Sequence, residues 1–106
     1  MEKNEKVVFL LTEVNRLLKA VGKKNFIDYY YEFQNIDIDK NILAEKLLNE
    51  NKRAKKISGQ LITISFAQKI FTNNLQEKVL KIIIKSDRLS EDTIKKAKEI
   101  MIKEFK

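Results

Sequence analysis

The chain predicts an all-α fold, a compact single-domain bundle of about six short helices, on three observations. Turn formers are scarce: 106 residues hold no proline and only two glycines, Gly22 and Gly59. β-rich domains turn often and lean on both residues at their turns. Apolar residues recur at intervals of three and four in most segments, which is the period of a helix with one buried face. Finally, 43% hydrophobic and 35% charged residues are ordinary globular proportions, and a chain of this length buries one core but not two. Residues 1–106 are therefore read as one α-helical domain.

Asn4 is expected to cap the first helix, with Glu5 in the first turn, where a carboxylate complements the helix dipole. Val7, Leu10, Leu11, Val14, Leu17, Leu18 and Val21 fall on one face, and Phe9 falls opposite. Gly22 then supplies a left-handed stop among Lys19, Lys23 and Lys24, the chemistry of a helix C-terminus. The segment Asn25–Phe33 carries five of the nine aromatics. Phe26, Tyr29, Tyr30 and Phe33 share a helical face, whereas Ile27 and Tyr31 lie on another. Tyrosines can stack on bases, but Asp28 and Glu32 beside them suit core packing better than a phosphate surface.

Asn35–Asp39 reads as a connector in which Asp37 or Asp39 caps the next helix. Two aspartates fall short of the six or more oxygen ligands, roughly, that a hard cation takes, so no metal is expected there. A third helix, Lys40–Asn49, is expected to bury Leu43, Ala44, Leu47 and Leu48. After it comes the chain's least random stretch. Asn51–Phe71 opens with Lys52, Arg53, Lys55 and Lys56 and then turns apolar, and no Asp or Glu occurs over the 26 residues from Asn51 to Gln76. With Ser58 as cap, a helix Gly59–Thr72 places Ile62, Thr63, Ile64, Phe66, Ala67, Ile70 and Phe71 on a broad buried side. Ser58, Leu61, Ser65, Gln68, Lys69 and Thr72 form a narrow outer strip. A strand over Ile62–Phe66, paired with Lys81–Lys85, is the rival, because those residues alternate and are β-branched. Helix is preferred because Ala67–Phe71 continues the helical period.

Asn73 or Asn74 is expected to end that helix and cap a fifth, Leu75–Lys85, which buries Leu75, Val79, Ile82 and Ile83 with Leu80 and Ile84 flanking. Ser90 is expected to cap a sixth, with Glu91 and Asp92 in its first turn and Ile94, Ala97, Met101 and Phe105 inward.

Composition narrows function before any motif does. Cysteine and histidine are both absent, which removes thiolate chemistry and the commonest metal ligand and general base. The acidic and tyrosine cluster of Glu32, Asp37, Asp39 and Tyr29–Tyr31 matches no phosphate-loop, zinc or hydrolase spacing. An enzyme is not expected, and neither is a cofactor. The apolar run Val7–Leu11 is too short for a signal peptide or a membrane helix, so a cytoplasmic protein is expected.

Net charge is +7, unevenly placed: residues 1–50 carry 8 Lys/Arg against 9 Asp/Glu, and residues 51–106 carry 14 against 6. Nineteen of the cations are lysine, and with 14 isoleucines and nine asparagines this composition fits an A- and T-rich genome. Placement is therefore more informative than total. An acid-free stretch in the basic half points to a polyanion.

The helix over Leu43–Leu48, the basic turn and the helix after it resemble, over about a third of the chain, a helix-turn-helix unit in the middle of the domain. That resemblance implies nucleic-acid binding, to DNA or RNA. Lys52, Arg53, Lys55 and Lys56 would meet phosphates, while Ser58, Ser65, Gln68, Lys69 and Thr72 would face the groove. The connector is longer than the usual 3–4-residue turn, and the same residues also fit a solvated strip beside a lysine-rich loop. The alternative is a protein-interaction module (a small inhibitor, immunity-type or adaptor protein) docking on an acidic protein, with Phe9, Ile27 and Tyr31 as anchors.

Overall fold

The computed structural model describes residues 2–50 and 56–105, with side chains from Thr12 onward. Among these residues there are seven helices and no strand: α1 (Glu2–Val21), α2 (Lys23–Asp28), α3 (Tyr30–Gln34), α4 (Lys40–Glu50), α5 (Ile57–Thr72), α6 (Gln76–Ile84) and α7 (Glu91–Glu104). The fold is all-α, as the scarcity of Gly and Pro predicts. Its centre is α5, which packs chiefly on α1 and α4 and also on α3, while α6 and α7 pair with each other. Of the helices, α5 carries apolar residues around most of its circumference. Ile64, Ala67, Ile70 and Phe71 are buried and Leu61 and Phe66 pack against that core. A helix that is apolar nearly all round has to be surrounded.

α1 runs back to Glu2, so Asn4 lies within it rather than capping it. Val14, Leu17, Leu18 and Val21 are buried as their spacing requires. Gly22 ends the helix at φ 91° and ψ 133°, its N–H still donating to the Leu18 carbonyl at 2.7 Å. That backbone region is nearly closed to residues with a Cβ. An added Cβ would have room, since its nearest neighbours would be Asn25 side-chain atoms at 3.8 and 3.9 Å. Gly22→Ala should therefore destabilise by about 1–3 kcal/mol through backbone conformation alone. Urea denaturation followed by circular dichroism reads this directly.

The aromatic segment departs from expectation. Instead of one helix it forms two short ones, broken at Tyr29 (φ −120°, ψ 26°). Ile27, expected on an outer face, is 1% exposed. The reason is tertiary: α2 is held between α1 and α7, so adjacent positions on it, Phe26 and Ile27, are both covered. Phe26 stacks on Phe71 (centroids 5.4 Å apart, planes at 19°), and Tyr30 meets both rings edge-on at 5.5 and 5.0 Å. This cluster ties α2 and α3 to the end of α5. Packing, not base stacking, uses these aromatics.

Of the two candidate caps, Asp39 acts: its Oδ1 accepts from the N–H groups of Asn41 (3.0 Å) and Ile42 (3.2 Å). In α4, Leu43, Ala44 and Leu47 are buried and Leu48 is half-buried. α5 begins at Ile57 with Lys56 as its N-cap residue, so Ser58 sits inside the helix and is not the cap. The strand rival fails because Ile62–Phe66 is helical throughout, and Lys81–Lys85 belongs to α6 and its end. The β-branched and small polar residues are accommodated by back-bonding. Thr63 Oγ1 donates to the Gly59 carbonyl (3.1 Å) and Ser65 Oγ to that of Leu61 (3.0 Å).

Asn74 ends α5 in the left-handed region, φ 57°. The Asn74 N–H donates to the Phe71 carbonyl (3.1 Å) and the Leu75 N–H to that of Ile70 (2.8 Å). This is the Schellman closure, with asparagine in the place glycine usually takes. It turns the chain into α6, where Val79, Leu80 and Ile83 are buried and Ile82 and Ile84 are half-buried. Ser90 caps α7 as expected, accepting from the Thr93 N–H at 3.3 Å. In the inner stripe of α7 Ala97 is buried as expected, while its neighbours on either side are shifted by one position. Thr93, Ala97 and Ile100 are buried, while Ile94, Met101 and Phe105 form its flank. The Thr93 hydroxyl is 3.0 Å from Ser90 Oγ, which lets a polar residue occupy a buried site.

Candidate nucleic-acid interface

The expected anion-facing residues lie in the sequence between α4 and α5, and of them only Lys56 is described. Lys52, Arg53 and Lys55 fall outside the described residues. Lys56 is exposed, in extended conformation (φ −141°, ψ 141°) at the head of α5. Among the described residues no side chain caps α5, its first turn holds no acid, and Ile57, Ser58 and Gly59 are all exposed. The opening N–H groups of a helix lack intrahelical acceptors and carry the positive end of its dipole. At α7, by contrast, Ser90, Glu91 and Asp92 occupy that position with their own oxygens. The head of α5 thus combines a basic sequence with a backbone that attracts anions.

The groove-facing set is only partly brought together. Ser58, Ser65, Lys69 and Thr72 are exposed on α5. Gln68 is not: it is 7% exposed, among the buried Ile64, Ala67 and Phe71. Placing it on the outer strip followed its polarity, but at 100° per residue it lies between positions the core covers. Its amide cannot read a base. Ile62 makes the converse correction. Expected inside, it is 57% exposed. The true outer strip is Ser58, Ile62, Ser65, Lys69 and Thr72, spaced by four and three. Two of its hydroxyls are already committed to the helix, Ser65 to Leu61 and Thr72 to the Lys69 carbonyl at 3.2 Å.

Alongside this strip lies a shallow open cavity of about 330 Å³, lined by Leu61, Ile62, Ser65, Phe66 and Lys69. The Arg16 guanidinium of α1 stands 5.7 Å from the centre of the Phe66 ring. Arg16 also donates two hydrogen bonds to Glu13, at 2.6 and 3.1 Å, and these hold the Glu13 carboxyl below the usual carboxylate range. The strip's spacing is the sequence signal for this cavity, and Ile62 belongs to the strip rather than to the buried side.

Most of the acidic and tyrosine cluster is engaged structurally. The Tyr29 hydroxyl donates to Glu50, Lys46 lies over the Tyr29 ring at 5.7 Å, and Lys46 pairs with Glu32 at 3.8 Å. Asp39 is the cap already described. Tyr31 is 43% exposed, with the Lys103 ammonium 5.4 Å above its ring. Burial, and then Glu50, raises the Tyr29 phenol well above its ordinary value. Burial, with Glu104 and Tyr31 behind it, pushes Tyr30 up to about 12. Both folded-state values lie above that of an unfolded tyrosine, about 10. Their contribution to stability is therefore complete below pH ~10 and lost as pH rises through ~12. Melting temperature should fall across that window, while phenolate absorbance shows late ionisation.

Among the described residues, no cluster of His, Cys, Asp or Glu could hold a metal ion, and no helix is long and apolar enough to cross a membrane. Comparison of the chain with protein-family models, with curated proteins and with solved structures finds no match.

Proposed function

We propose that this protein binds nucleic acid through its phosphate backbone, at the junction of α4 and α5. The observation that carries this reading is the head of α5. Lys56 leads into an exposed, acid-free first turn that no side chain caps among the described residues, and in the sequence it follows Lys52, Arg53 and Lys55. Backbone N–H groups at a helix start and nearby lysines are the usual phosphate contacts, and they position a protein without reading sequence. The outer strip of α5 argues against a base-reading role. Gln68 is buried, Ile62 interrupts the polar residues, and Ser65 and Thr72 bond their own helix. The reading is therefore sequence-independent binding.

Fluorescence anisotropy with labelled non-specific duplex DNA and RNA tests it. Four phosphate contacts give a log–log salt slope of about −3 to −4, so affinity should fall on the order of 100-fold between about 50 and 200 mM salt. Unrelated duplexes should bind alike. Absence of binding to either nucleic acid at about 50 mM salt would refute the reading and favour a protein partner.

A further inference from the structure

We propose that Tyr29 is a positioning residue for the phosphate-binding segment: its hydroxyl ties back the carboxylate of Glu50, which would otherwise pair with the cations that follow it. This role rests on the backbone-binding reading and names what keeps its cations free. Glu50 is the last residue of α4, and in the sequence it stands two residues before Lys52 and three before Arg53. At most about 7–11 Å of extended chain then separates the carboxylate from those cations, within the combined reach of their side chains. No acid follows it until Glu77. A loose Glu50 is therefore the acid best placed to neutralise a cation that phosphate needs.

It is not left loose. Tyr29, 21 residues earlier, donates its hydroxyl to the Glu50 carboxylate, and a hydrogen bond to an ionised acceptor is stronger than one between neutral groups. Tyr29 is itself fixed: it sits at the break between α2 and α3, its ring lies 6.0 Å from that of Phe33, and the Lys46 ammonium stands 5.7 Å from its centre. Glu50 shares the lining of a polar cavity of about 380 Å³ with Lys23, Lys24, Asp28 and Tyr29. The described cations nearby are engaged elsewhere. Lys46, one turn back on α4, pairs with Glu32 at 3.8 Å, Lys24 with Asp28 at 2.7 Å, and Lys23 reaches Ser86 Oγ at 3.5 Å. Loss of the Tyr29 hydroxyl would therefore leave the cations next along the chain as the open partners for Glu50.

Anisotropy with labelled non-specific duplex DNA at about 50 mM salt tests this. Tyr29→Phe should weaken binding about threefold and lower the magnitude of the salt slope by up to about one unit, the share of one phosphate contact. Glu50→Asp keeps the charge but is one methylene too short to meet the hydroxyl, and it should weaken binding alike. Being a change at the exposed end of α4, it carries the test even if Tyr29→Phe loses its helical circular dichroism. Glu50→Gln should gain about threefold in the Tyr29→Phe background and next to nothing in the wild type. A purely structural role for Tyr29 cannot give that rescue, because the amide repairs no packing. Equal gains in the two backgrounds would overturn the proposal, since long-range charge alone would then explain them. Unchanged affinity in both Tyr29→Phe and Glu50→Asp would overturn it too. Wild-type protein that binds no duplex refutes the backbone reading and this role together, whereas wild-type binding that both variants leave intact refutes this role alone.

Discussion

Phe26→Ala is expected to destabilise the protein by about 3–5 kcal/mol, a large share of the roughly 5–15 kcal/mol that holds a domain of this size together. The ring is fully buried, stacked on Phe71 at 5.4 Å and met edge-on by Tyr30 at 5.5 Å. Removing it costs the transfer free energy of the ring and also leaves a void. That void cannot easily close: Phe71 is fixed on α5, Tyr30 on α3, and Ile27 beside it is itself enclosed. Urea titration should show a lowered midpoint with an unchanged slope, the signature of lost stability in a two-state transition. Ile102→Ala, at a position 63% exposed, should stay within about 0.5 kcal/mol of wild type. Equal costs for the two substitutions would mean that the aromatic cluster is not the keystone of the core.

Reversing the charge of Lys52, Arg53, Lys55 and Lys56 together, each to glutamate, is expected to abolish nucleic-acid binding at about 50 mM salt. Each lost phosphate contact removes about 0.9 from the magnitude of the salt slope, so four contacts account for nearly all of it. At Lys56, the N-cap residue, the reversal also sets a carboxylate at the start of α5, where negative charge complements the helix dipole. For the same reason the fold should tolerate the change, and the helical circular dichroism should match wild type. Lys56→Gln alone should reduce the slope by about one unit. Thr72→Ala should change neither slope nor affinity, because the Thr72 hydroxyl bonds the Lys69 carbonyl. A salt slope that survives the fourfold reversal would place the contacts elsewhere, most plainly on the lysines of α6 and α7.

Local chemistry and periodicity carried most of the fold. Gly22 marked the end of α1 because few other residues accept its backbone angles. Asp39 and Ser90 marked helix starts because their side chains satisfy the first free N–H groups. Asn74 marked the end of α5 because asparagine tolerates the left-handed region. The apolar periods of α1 and α6 named most of their buried residues correctly, since each helix has a clear wet side.

Where a helix is covered on more than one side, polarity and period no longer say which positions face inward, and the corrections at Ile27, Gln68 and Ile62 lie there. Ile27 is enclosed because α2 is flanked by both α1 and α7. On α5, so much of the circumference is apolar that its narrow wet strip had two plausible placements. Contacts with α1, α3 and α4 decided between them, turning Gln68 in and Ile62 out. The all-α class, the helix ends at Gly22, Asp39, Asn74 and Ser90 and the acid-free basic segment are legible in the sequence, because these depend on backbone conformation and on charge along the chain. Only the tertiary structure decided which face of α5 is left open. That is settled by which neighbours cover the helix, and covering is a long-range property that no local pattern encodes.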